Sequence, residues 1–203
     1  MTGDFSELKI RPFRSEYLRP NVEQHLYPGR MGEIVLPDGE EMTGAAAMWR
    51  LMPPWFKADM KEFARKFGGC NNARSEGIAT SGMFKAVLKN RCLIPVSAIY
   101  EYAKDPGTDG KKVEYEFTPA DGKPKWVAGL FSRANPVDGP ILTYAMVMTN
   151  AGPDALSIGH PRSPIFLPDE RLADWLDVTT DIESFAVSPP AGFFTLAPAK
   201  KAA

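Results

Sequence analysis

Cysteine and histidine are scarce: the 203-residue chain has two of each, Cys70 and Cys92, His25 and His160. Two cysteines cannot build a disulfide framework. Neither lies in a Cys-x-x-Cys or Cys/His cluster of the spacing zinc needs, so no metal and no cofactor is expected, and a reducing, cytoplasmic setting is. Charge of either sign is not in excess, with 24 basic against 25 acidic side chains. That excludes a strong non-specific electrostatic grip on nucleic acid and makes any anion site local. No stretch approaches the roughly 20 consecutive apolar residues of a membrane span. The start, Met1-Thr2-Gly3-Asp4-Phe5, lacks the basic-then-apolar order of a secretory signal. Internal repeats and low-complexity blocks are also missing, and a monomer is expected.

What is present is core-forming material: 44% of the residues are hydrophobic, ample for one continuous core at this length. The 19 prolines and 17 glycines are dispersed, which predicts many turns between short strands. Val113 to Thr118 alternates apolar and polar residues as a strand with one wet face does. Cys92 to Tyr102, Trp126 to Phe131 and Ile141 to Thr149 are more continuously apolar and read as strands buried on both faces, with Ala45 to Met52 a weaker candidate. Helical spacing recurs at Phe56, Met60, Phe63 and Phe67, and at Leu172, Trp175 and Leu176 after the start signal Pro168-Asp169-Glu170. Arg19 to Gly44 reads as a loop or irregular excursion. The sum is an α+β fold, a single domain over 1–187 with a largely antiparallel, curved or barrel-like sheet and a few peripheral helices. A Pro/Ala/Lys-rich tail over 188–203 is expected to be poorly ordered.

Several polar residues are of types that carry chemistry. Gly68-Gly69-Cys70-Asn71-Asn72-Ala73-Arg74-Ser75-Glu76 is too polar for core and reads as a loop. In it Asn72 can donate and accept hydrogen bonds, and Arg74 can hold a phosphate or carboxylate through two parallel bonds. The competing reading is a turn with a solvated charge. Glu101, between Tyr100 and Tyr102 at the end of an apolar run, is partly desolvated and suited to acid/base work, or else a surface residue at a strand end. His160 lies in Gly159-His160-Pro161-Arg162-Ser163-Pro164, where the prolines restrict the backbone around a side chain matched to proton transfer near neutrality. His25 is assigned no role. Trp49, near Pro53, Pro54 and Trp55, is a stacking platform for bases or, more simply, core packing.

Taken in order, Met1-Thr2-Gly3-Asp4-Phe5, Met48-Trp49-Arg50-Leu51-Met52-Pro53, Asn72-Ala73-Arg74-Ser75-Glu76, Arg91-Cys92-Leu93-Ile94-Pro95, Tyr100-Glu101-Tyr102, Ala128-Gly129-Leu130, Thr149-Asn150-Ala151 and His160-Pro161-Arg162 form a pattern. It resembles the SOS-response-associated peptidase (SRAP) family, whose members recognise abasic sites in single-stranded DNA. In that family the residue after the initiator methionine is cysteine, whose amine and thiol trap the ring-opened sugar as a thiazolidine. Some members also remove a short propeptide by self-cleavage. The resemblance implies that Asn72 holds the N-terminal group and the sugar. It implies that Glu101 and His160 move protons at the deoxyribose, and that Arg74 and Arg162 meet flanking phosphates.

The chain departs from this pattern at Thr2, which stands where cysteine is expected, and at Asp4, which stands where arginine is common. A hydroxyl is a far poorer nucleophile than a thiol. The α-amine, with a pKa of about 8, can still form a Schiff base once Met1 is removed. Cys70 has no adjacent amine and cannot close the same ring. Three readings follow from the resemblance. The first is abasic-site recognition in the DNA damage response with Schiff-base or crosslinking chemistry at Thr2. The second is a non-covalent single-stranded DNA-binding module. The third is a repurposed enzyme on the same scaffold acting on another carbonyl or amide.

Overall fold

A computed structural model describes residues 10–11, 25–38, 41–104 and 111–199. The expected α+β architecture is what these residues adopt. Five strands, β2 (Met31–Asp38), β3 (Glu41–Trp49), β5 (Arg91–Val96), β8 (Lys125–Ala134) and β9 (Ile141–Asn150), pair in the circuit β3-β2-β5-β8-β9. A parallel contact of Met48 and Trp49 with Thr143 and Tyr144 closes the circuit into a barrel. Side chains alternate along each strand, so one set points inward. Ile34, Leu36, Ala45, Ala47, Cys92, Ile94, Val127, Phe131, Tyr144, Met146 and Met148 come from all five strands and fill the barrel. The opposite set, including Val35, Leu93, Ala128, Leu130, Ala145 and Val147, packs outward under Trp175, Ile182 and Phe185.

Short strands extend the barrel: β1 (Ile10–Arg11) on β3, β4 (Asn72–Arg74) and β10 (Arg162–Pro164) on β9, and β11 (Phe166–Leu167) on β8. A separate antiparallel sheet has the order β12-β7-β6, from β6 (Ile99–Lys104), β7 (Lys112–Pro119) and β12 (Phe194–Pro198). Its inner face carries Ile99, Tyr115, Phe117, Phe194 and Leu196, which pack on Ala155 of the short helix α2 (Pro153–Ser157). Helix α1 (Met60–Phe67) is capped by the Asp59 carboxylate, which accepts from the Glu62 N–H, and buries Phe63 against Phe56. Helix α3 (Leu172–Leu176) follows a 3₁₀ turn at Asp169–Arg171, as the Pro-Asp-Glu signal predicts.

Four expectations need correction. Gly68 to Glu76 is not wholly loop, because Asn72–Arg74 is β4, paired in parallel with β9, and Ala73 and Ser75 are buried. Arg19 to Gly44 is not wholly loop, because Met31–Asp38 is β2 and Glu41 opens β3, in register from Met31↔Met48 to Asp38↔Glu41. At Gly32 the missing Cβ is what lets the Leu26 side chain and the Tyr144 hydroxyl close over the strand; a Cβ would lie 2.5 and 2.6 Å from them. The run Cys92 to Tyr102 is two strands in different sheets, broken at Ser97 and Ala98, so Glu101 lies within β6 and not at a strand end. The stretch from Ser188 holds β12, whose Phe194 is buried and which pairs with β7 from Phe194↔Pro119 to Pro198↔Tyr115. Its composition concealed two bonds, because the Asp154 carboxylate accepts from the Gly192 and Phe194 N–H groups, each at 2.9 Å.

Candidate functional site

The far end of β9 is flanked by β4 on one edge and β10 on the other. Register sets Asn72 and Arg74 beside Met146 and Met148, and Arg162 and Pro164 beside Asn150 and Met148. Paired residues project to the same side, so Asn72, Arg74 and Arg162 share a face while Ala73 and Ser163 are buried on the other. Two residues after α2 the chain turns at Gly159, whose φ is +76°, and the His160 N–H bonds back to the Ala155 carbonyl at 3.0 Å, which fixes the start of the segment leading into β10. Glu101 arrives from the small sheet. Its inner-face neighbours pack on α2, and that apolar contact draws the carboxylate to the histidine.

Glu101 Oε2 lies 3.1 Å from His160 Nε2, with the two side chains only 27% and 19% exposed. The other ring nitrogen, Nδ1, lies 2.9 Å from the Arg162 carbonyl, which can only accept, so Nδ1 carries a proton. The Glu101 hydrogen bond raises the His160 pKa above its ordinary value; burial works against this, and the Glu101 charge and the Arg162 carbonyl add to it. The Arg162 guanidinium is in turn ion-paired through Nη1 with Glu76. Partial desolvation would raise the Glu76 pKa. Its own backbone N–H, the bond to Arg162 and the charges of Arg162 and Arg74 outweigh that and hold it below the ordinary value.

Asn72 Oδ1 is buried and accepts no hydrogen bond among the described residues. An unmade bond of this kind costs about 1–3 kcal/mol and marks a place where a donor would be welcome. Trp49 donates its indole N–H to the Asn71 carbonyl at 2.8 Å and packs against the barrel core, so the ring fastens the residue preceding Asn72. Arg74 is exposed. Thr2 lies outside the described residues. Cys70 and Cys92 are free and buried. Desolvation raises the Cys70 pKa, Arg50 only partly opposing it, and the thiol donates to the Phe67 carbonyl at 3.0 Å, so this sulfur is no displaced nucleophile.

Glu76 was not singled out from the sequence, where it is one more polar residue of a loop; its partner comes from a distant segment and no local signal announces it. His25 was assigned no role, yet its ring stacks between Tyr27 and Tyr100, with centroids 4.7 and 3.6 Å away. Its Nε2 is 3.7 Å from a Glu114 oxygen, on the sheet face opposite Glu101. Tyr100 donates to Glu116 at 3.0 Å, and burial with that bond pushes its pKa up to about 12. Among the described residues no group of three or more His, Cys, Asp or Glu could hold a metal ion, and no helix is long and apolar enough to cross a membrane.

Known proteins share both the pattern and the fold. The abasic site processing protein YoqW of Bacillus subtilis (strain 168) is 26% identical over 181 residues, which cover 86% of this chain and 77% of that protein. The abasic site processing protein HMCES of Gallus gallus is 26% identical over 161 residues, 69% of this chain and 47% of that protein. A crystal structure of a Bordetella bronchiseptica protein superposes with a TM-score of 0.76 at 30% identity, covering 92% of this chain and 93% of the other. A Bacteroides thetaiotaomicron structure at 17% identity, with a TM-score of 0.72, shares the fold. The sequence profile of the SOS response associated peptidase (SRAP) family matches residues 10–199, and the chain belongs to that family.

Proposed function

We propose that this protein recognises abasic sites in single-stranded DNA as part of a DNA damage response, and that the amine of residue 2 attacks the sugar aldehyde. The observation that carries the reading is the Glu101–His160 pair, linked through Arg162 to Glu76 on the face that also bears Asn72 and Arg74. The relatives named abasic site processing proteins support it. In the reaction the amine nitrogen bonds to the aldehyde carbon of the ring-opened deoxyribose. The oxygen is protonated and leaves as water, giving an imine. His160 is the proton donor, because the Glu101 hydrogen bond favours its charged form. Glu101 takes up and returns the proton. Asn72, through the unmatched Oδ1, orients the amine, while Arg74 and Arg162 receive phosphates and Trp49 backs the strand.

The experiment is to incubate the protein, with Met1 removed, with single-stranded DNA bearing one abasic site, in the presence of borohydride. A covalent adduct that is reduced by His160→Gln and Glu101→Gln is expected. Salt-dependent binding without any adduct would replace this reading with a non-covalent binding module, which the thiol-free Thr2 favours. Binding no tighter than to an unrelated acidic polymer would remove both, leaving a scaffold used on another carbonyl or amide.

A further inference from the structure

Glu76 follows β4 on a rigid support. The buried Ser75 donates its N–H to the Met148 carbonyl at 2.9 Å, and Ile78 closes the turn on the Ser75 carbonyl at 3.3 Å. The Glu76 side chain is 55% exposed, so it adds little to the core, and an ion pair this open contributes little to stability. Its partner is less open. The Arg162 side chain is 25% exposed and its Nη1 is shut off from solvent. Arg162 is also the residue whose carbonyl receives the His160 Nδ1–H. One chain of contacts therefore runs from Glu101 through His160 and the Arg162 carbonyl to the Arg162 guanidinium and Glu76.

We propose that Glu76 is a positioning residue: by holding the Arg162 guanidinium it fixes the Arg162 backbone, and through that carbonyl it sets the His160 ring so that Nε2 faces Glu101. Without the Glu76 charge the guanidinium is released, the Arg162 backbone is less fixed, the Nδ1 bond loosens, and the protonated form of His160 is less favoured. Glu76 touches neither ring nitrogen itself, so its influence passes through Arg162. The inference rests on the reading of His160 as the proton donor, but not on DNA.

The test is an NMR titration of the His160 ring protons in the full chain. His25 is the other histidine, so a His25→Gln variant assigns the signals. Glu76→Gln should lower the His160 midpoint by roughly half a pH unit, the direction expected when the hydrogen bonds that favour the charged ring loosen. In an Arg162→Gln background the same substitution should leave the midpoint in place, because the route is gone. Absence of a shift in Glu76→Gln overturns the proposal. An equal shift in both backgrounds also overturns it, since Glu76 would then act through space. As Glu76 is exposed, the fold is retained, which a melt of each variant verifies. Failure of borohydride trapping would leave this titration informative, and a failed titration would leave the abasic-site reading intact.

Discussion

Replacing Glu101 by glutamine removes the carboxylate from His160 while keeping the shape of the side chain, and its effect on stability should depend on pH in one direction. A folded-state pKa raised above the unfolded value of about 6.5 stabilises the protein fully below that value. The contribution fades as pH rises through the raised folded value, because the neutral ring loses the charged partner. A hydrogen bond between charged groups contributes about 1.5–3 kcal/mol, and the exposures of 27% and 19% trim this by screening to about 1–2 kcal/mol. Urea unfolding at pH 5.5 and pH 9 measures it. Glu101→Gln should cost about 1–2 kcal/mol at the lower pH and clearly less at the higher one. The same loss at both pH values, or a larger loss at pH 9, would refute the assignment of the pair.

Other perturbations address the chemistry and the frame around it. Thr2→Cys should convert an adduct that needs borohydride into a heat-stable crosslink that does not, seen as a retarded band on denaturing gels; no crosslink would mean that the rest of the site does not serve the amine. Arg91 spends its guanidinium on the carbonyls of Leu88, Trp175, Asp177 and Thr180 and lies 5.0 Å from the Trp175 ring centroid. Arg91→Met leaves those acceptors unmatched and should lower the unfolding free energy by about 3 kcal/mol or more in urea melts. Gly152→Ala would set a Cβ 1.9 Å from the Pro189 carbonyl oxygen, where backbone must give way, so a loss of about 3 kcal/mol is expected from the same measurement.

Much of the sheet was legible because its signals are local. The alternation at Val113 to Thr118 and the apolar runs at Trp126 and Ile141 lie inside β7, β8 and β9, extended by up to three residues at the ends. The elements that escaped are those decided by partners. β2 contains Gly32 and Pro37, punctuation in a sequence, and becomes a strand because β3 pairs along its whole length. Helix α2 has five residues, too few to display a helical period, and stands because Ala155 and Asp154 anchor it to the small sheet. β12 looked like tail since proline, alanine and lysine dominate the stretch, while Phe194, the residue that decides the matter, is a single side chain.

The site divides in the same way. Residue types at Asn72, Arg74, Glu101, His160 and Arg162 could be read one at a time, but the contact that raises the His160 pKa joins the small sheet to the turn before β10, and the contact that holds Arg162 joins two edges of β9. Neither pair has a local spacing to betray it. What sets the Glu101–His160 separation is not polar at all: Ile99 and Phe117 press the small sheet onto α2, and the Asp154 carboxylate ties β12 to the same helix. Apolar area is non-directional and tolerates small slides, whereas a hydrogen bond at 3.1 Å does not. The two bonds from Asp154 therefore convert a sticky interface into a registered one, so loosening that register, through Gly152 or Asp154, should weaken the His160 pair even though neither residue touches it.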